Sequence, residues 1–237
     1  MIGVAVAGLA VAGVAAHGTW HRNSWVFGPA LNHLPGEGKV ASITFDDGPN
    51  PEATPRILDT LRDEGVHATF FVLGRHADKW PALVKRAADE GHQIGNHGYW
   101  HRKLHRRSPA YVRDDLTRGA EAIERACGVR PAVFRAPHGF RNPWVTPIAR
   151  SLGERTIGWS LGVWDSARPG ADEIVRRTLE GMRAGSILLL HDGDGYDEAG
   201  DRMQTAQALP RIISGLRGRG FRFHTLPETP NSRHYRV

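Results

Sequence analysis

A closed or nearly closed α/β barrel with a parallel sheet, in a single domain, is the fold class predicted by this 237-residue chain. Three observations lead there. From Lys39 onward, short apolar runs alternate with longer amphipathic segments. Six to seven such βα units follow one another, and glycine stands just after most of the helical segments. Strict alternation implies a parallel sheet, and this number of units suits a barrel better than an open sheet. Functional groups are then expected at the C-terminal ends of the strands.

The first strand, Val40 to Phe45, is followed by a turn and by the helical pattern Thr54 to Glu64, stopped at Gly65. Ala68 to Leu73 precedes the helix Trp80 to Glu90 and Gly91, and Gln93 to Gly95 precedes Pro109 to Ala126 and Gly128. Ala132 to Phe134 leads to Pro143 to Leu152 and Gly153, and Thr156 to Leu161 leads to Ala171 to Met182 and Gly185. Ser186 to Leu190 leads to Thr205 to Arg217 and Gly220, and Phe221 to Leu226 closes the series. The strands are short apolar runs, and a glycine past a helix supplies the left-handed residue that ends it. No repeat or linker interrupts residues 39–228, expected as one domain, with a tail at 229–237.

Lys and Arg number 31 against 25 Asp and Glu, a net charge of +6, and 40% hydrophobic with 24% charged residues excludes a disordered or collagenous chain. The lone Cys127 excludes an intrachain disulfide framework and any multi-cysteine metal site. Residues 1–38 are expected to be a hydrophobic segment and linker. Ile2 to Ala16 is an unbroken apolar run, too short to span a bilayer comfortably. It reads as a signal-peptide core with small residues at Val14-Ala15-Ala16, or as a weak membrane anchor helped by Trp20 and Trp25, although no Lys or Arg precedes it. A buried N-terminal helix is the third alternative. The expected location is extracytoplasmic, secreted or membrane-anchored.

Asp46 and Asp47 come directly after the first strand and before Gly48-Pro49. A solvated turn is one reading. The other is a general base beside a metal ligand, since successive residues at a turn can aim one carboxylate at a metal and the other at a reacting water. His97 and His101 are four apart, and one helical turn would put both imidazoles on one face. A zincin protease needs Glu after its first histidine, where Gly98 stands. With Asp47 the pair makes two histidines and a carboxylate, which suits catalytic Zn²⁺ or another divalent first-row ion, Co²⁺ included. A non-haem iron oxygenase shares this set, but its closely spaced H-x-D/E pair is absent.

Thr44-Phe45-Asp46-Asp47-Gly48-Pro49 and Asn96-His97-Gly98-Tyr99-Trp100-His101 resemble the first two motifs of the polysaccharide deacetylases, the NodB-homology carbohydrate esterases. The resemblance runs from about Lys39 to Leu226 and implies a distorted (β/α) barrel, with Asp46 as general base and Asp47, His97 and His101 holding the metal. Phe134-Arg135-Ala136-Pro137-His138-Gly139 is similar to the third motif, whose arginine orients the base; His138 replaces a tyrosine whose backbone N–H faces the oxyanion. Leu189-Leu190-His191-Asp192 looks like the last motif and implies His191 as general acid. In the fourth motif the family order of Asp then Trp is altered to Trp164-Asp165-Ser166. Asp165 can still hold and charge His191, whereas Trp164 is displaced from the acetyl pocket and is expected in the core.

The resemblance implies a metal-dependent hydrolase that releases acetate from an N-acetylated glycan, with an O-acetyl ester reacting likewise. A non-catalytic, metal-containing glycan-binding module of the same fold is the alternative. Gly158-Trp159-Ser160-Leu161-Gly162 matches a nucleophile elbow, but no helix follows Ser160, which is read as late-strand structure. Asp192 to Asp197 lacks the acidic spacing of a calcium loop and is read as a flexible active-site loop. The basic run Arg102, Lys103, His105, Arg106, Arg107 is read as a solvated face, or as a rim attracting an anionic glycan or lipid headgroup. Nucleic acid is not expected as a partner.

Overall fold

Val40–Asp46 (β1) is the strand around which the sheet is built, and every residue after Val40 in it is buried. The structure, a computed structural model, describes residues 12–228 except 22 and 37. A helix over residues 12–20 (α1) precedes β1. After it come α2 (Ala53–Asp63), β2 (Thr69–Val72), α3 (Gly74–Lys79), α4 (Pro81–Asp89), β3 (Gln93–Asn96), α5 (Pro109–Cys127) and β4 (Val133–Phe134). The chain continues through α6 (Val145–Ser151), β5 (Arg155–Thr156), β6 (Leu161–Gly162), α7 (Ala171–Gly181), β7 (Ser186–His191), α8 (Met203–Gly218) and β8 (Arg222–Phe223). The strands lie in the order β5-β4-β3-β2-β1-β7-β6, with β8 beside the start of β1, and every pairing is parallel. The predicted parallel barrel is therefore observed, curled and distorted.

The strand expected over Thr156 to Leu161 is divided. Its first residues pair with β4 and its last with β7, so residues 157–160 carry the chain from one edge of the sheet to the other. Ile157 N–H still donates to Phe134 O, and Ser160 N–H already donates to Ile187 O. The gap this leaves is filled by the preceding segment: Leu31 bridges to Ile157, His33 bridges to Ser186, and Leu34 is buried with Phe71 and Ile187. Part of the stretch expected as anchor and linker thus belongs to the barrel. In α1, residues 12–15 are exposed, so a buried N-terminal helix does not describe that part. Most of the Ile2–Ala16 run and the tail at 229–237 lie outside the described residues. Among the described residues no helix is long and apolar enough to cross a membrane.

Side chains alternate across a strand. Ile43 and Phe45 of β1 and Leu188 and Leu190 of β7 join the core beneath helices α2, α7 and α8, while Phe71, Val133 and Ile187 form the inner cluster of the barrel. The same parity turns Asp46, Arg135 and His191 inward, at the strand ends. Helix α5 shows how the outer layer is fixed. Ser108 accepts the N–H of Tyr111, Pro109 opens the helix, Val112, Leu116, Ala120 and Ile123 face inward at helical spacing, and left-handed Gly128 (φ 75°) ends it. Burying Val112, Leu116 and Ile123 contributes about 1.5–3 kcal/mol each. The short α3 escapes sequence reading because its six residues contain a single small apolar side chain, Ala77, and no period.

Candidate active site

Asp46 ends β1, and Asp47 after it takes a left-handed conformation (φ 72°), so the two neighbouring carboxylates diverge. Asp46 Oδ1 accepts from Arg135 Nη1 at 2.7 Å, and the same nitrogen reaches Thr44 Oγ1 at 2.7 Å while Nη2 reaches Gly158 O at 2.9 Å. Arg135 has no exposed surface and stacks 4.1 Å above the Phe71 ring. A surface-charge role for it is excluded.

His97 follows β3 and His101 lies on the succeeding loop, not one helical turn further along a helix. The spacing works through a loop because Gly98 (φ 76°) and His101 (φ 55°) reverse the chain. Two side chains hold that loop: Asn96 Oδ1 accepts Gly98 N–H, and Asp115 of α5 accepts the N–H groups of Tyr99 and Trp100 at 3.2 and 3.1 Å. Asn96 in turn donates to buried Glu154, whose carboxyl is pushed up to about 8 by burial, against the hydrogen bond from Asn96.

Asp47 Oδ1 lies 3.3 Å from His97 Nε2 and 3.1 Å from His101 Nε2, all three residues being buried. His97 Nδ1 donates to Arg135 O at 2.8 Å, which turns its Nε2 lone pair towards the carboxylate. Asp47 Oδ1 is buried without a hydrogen-bond partner. Lone pairs converging on an orphaned carboxylate oxygen are what a cation between them would relieve, and two imidazoles with one carboxylate suit a divalent first-row ion. Burial pushes Asp47 up, yet His101 and His97 hold it well below the ordinary carboxylate range.

On the other wall, His191 ends β7 in register with Asp46. Asp165 binds it twice, through Nδ1 at 2.9 Å and through its backbone N–H at 2.7 Å, while Thr205 donates to the same carboxylate. Burial alone would lower His191, but Asp165 raises it to about 9. Trp164, expected in the core, is 73% exposed at the cleft, because its left-handed backbone (φ 59°) swings it outward. Ser160 Oγ accepts Ile187 N–H inside the sheet, which is a structural role. The 192–197 loop is tied by Arg202, which bonds Gly193 O and Asp194. His138 donates or accepts at Tyr196 Oη, 2.8 Å away, and lies over His101. Arg102, Lys103, Arg106 and Arg107 are exposed, and none of the basic run lines the cleft.

The cleft has a volume of about 600 Å³ and contains Asp46, Asp47, His97, His101, Asp165 and His191. Sequence reading does not reach Asp115, His76, whose ring bonds Asp47 O, or Thr205; each lies far along the chain from its partner and carries no local signal.

Fold and cleft together define a hydrolase of the barrel type with its chemistry at the strand ends. The sequence profile of the polysaccharide deacetylases matches residues 33–157. A chitooligosaccharide deacetylase from a Bradyrhizobium strain is 41% identical over 78% of this chain and 88% of its own. A peptidoglycan-N-acetylglucosamine deacetylase from Bacillus cereus is 37% identical over 85% of this chain and 92% of its own. The crystal structure of the Bc1960 peptidoglycan N-acetylglucosamine deacetylase superposes with a TM-score of 0.79 at 35% identity, covering 84% of this chain and 91% of that one. The chain belongs to the polysaccharide deacetylase family and is a deacetylase.

Proposed function

We propose that the protein hydrolyses the N-acetyl group of N-acetylglucosamine residues in a glycan, with Asp46 as general base, His191 as general acid and a divalent cation, Zn²⁺, held by Asp47, His97 and His101. The observation that carries this is the placement of Asp46 and His191 as register neighbours flanking the three-ligand cluster in one cleft. Bound there, the cation supplies Lewis-acid polarisation of the acetyl carbonyl and of a water. Arg135 fixes Oδ1 of Asp46, so that its other oxygen takes the proton of the attacking water. Asp165 fixes Nδ1 of His191 and keeps the ring charged, so that Nε2 delivers a proton to the leaving nitrogen as the C–N bond breaks. Acetate and a free amine result. An O-acetyl ester passes through the same tetrahedral stage and would react likewise. A non-catalytic glycan-binding module has no use for two oriented proton carriers on adjacent strands.

The apolar run Ile2–Ala16 supports an extracytoplasmic place of action, where envelope glycans lie. Acetate release from N-acetylglucosamine oligomers and from peptidoglycan, measured with and without chelator, tests the activity. Release that stops on chelation and returns with Zn²⁺ or Co²⁺ is expected, and an undiminished rate in metal-free protein would overturn the metal assignment.

A further inference from the structure

The segment before the barrel reaches the cleft. Trp20, the last residue of α1, lines it together with Asp46 and His191, although it precedes the family match by more than ten residues and lies 60% exposed. A large aromatic ring left in solvent on a cleft wall has no packing role there. Its position is nevertheless fixed. Buried Arg141 donates from its guanidinium to Ser24 O and Gly28 O, and its backbone N–H donates to Thr19 O. Asn23 Nδ2 donates to the carbonyl of Trp159, another cleft residue. Gly18 lets α1 approach residues 26 and 27 so closely that a Cβ would stand 2.7 Å from Phe27. With the Arg141 guanidinium on the backbone after Trp20 and the Arg141 N–H on Thr19 before it, the exposed tryptophan is a placed group.

We propose that Trp20 is a substrate-positioning residue that stacks on a sugar ring neighbouring the one being deacetylated, so that the N-terminal segment sets a preference for oligomeric glycans. The chemistry suits the site: the apolar C–H face of a pyranose matches a flat aromatic ring whose polar N–H stays wet. Trp25, 80% exposed on the same segment but outside the cleft, marks the contrast. The inference rests on the proposed glycan deacetylation, and wild-type acetate release from an oligomer checks that reading separately.

The experiment compares full-length wild type, Trp20→Ala and Trp20→Phe on N-acetylglucosamine dimer, tetramer and pentamer and on a small activated acetate ester, with retention on phosphatidylcholine/phosphatidylglycerol vesicles as a parallel arm. Trp20→Ala is expected to lower kcat/KM about five- to tenfold on dimer, tetramer and pentamer, mostly through KM, with the ester unchanged and Trp20→Phe close to wild type. Equal loss on ester and oligomer would overturn the proposal, as would unchanged kinetics on every substrate. Unchanged oligomer kinetics with lost vesicle retention would assign Trp20 to a membrane surface instead.

Discussion

Asp46 and His191 are paired in register at the C-terminal ends of two adjacent parallel strands, β1 and β7. A single strand pairing therefore sets the separation of the proposed base and acid, and Asp47, one residue further, turns the other way towards the two histidines.

That divergence separates base from ligand. Asp46→Asn is expected to keep its bound metal and lose about 10²- to 10⁴-fold in turnover. Asp47→Ala, His97→Ala and His101→Ala should lose the metal itself. Elemental analysis of the four purified variants checks this, and a metal-free Asp46→Asn beside a metal-replete Asp47→Ala would reverse the assignment.

Asp165 governs the alkaline side. His191 stands at about 9 because Asp165 outweighs the effect of burial, so Asp165→Asn should lower it and move the alkaline limb of the pH–rate profile downward. The linked stability has a definite sign. With the folded value above the ordinary histidine value, the stabilisation is complete below the unfolded pKa and fades as pH rises through about 9. Denaturant melts of wild type and Asp165→Asn should accordingly converge at high pH. His191→Ala should nearly abolish amide hydrolysis but spare an activated ester, whose leaving group needs no proton; equal loss on both would remove His191 from the acid role.

Arg135 makes three hydrogen bonds from one planar group with no exposed surface. Lysine offers a point charge without that fork. Arg135→Lys is expected to reduce kcat about 10²-fold with KM little changed, and Arg135→Met to cost about 3–5 kcal/mol of stability by leaving Asp46 buried and unpaired. Steady-state kinetics and urea unfolding read the two effects, and wild-type kcat in Arg135→Lys would show that the fork does not position the base.

Asp115 touches none of the proposed ligands, yet it holds the loop that carries His101. Asp115→Ala should weaken metal binding about 10- to 100-fold, while Asp115→Asn, which keeps an acceptor, should lose less. Competition with a metal-chelating dye measures both, and unaltered affinity in Asp115→Ala would mean that the loop is held without it.

The sequence by itself determined the alternating elements, the parallel sheet and the strand-end positions of Asp46, Asp47, His97, Arg135 and His191, because strand and helix periods and glycine stops are local properties of a few consecutive residues. What it could not contain is which distant groups meet. The resemblance implied that Arg135 meets Asp46 and Asp165 meets His191, but Thr205 reaches Asp165 across 40 residues, His76 reaches Asp47 O across 29, and Asp115 reaches Trp100 from the middle of a helix, each through strand register and helix docking. The division of Thr156–Leu161 between two sheet edges, the outward swing of Trp164 and the docking of Trp20 at the cleft were likewise tertiary decisions. Curling the sheet brings its two edges, β5 and β6, to either side of a gap that Leu31 and His33 bridge, and no short stretch of sequence records which distant backbone groups will pair there.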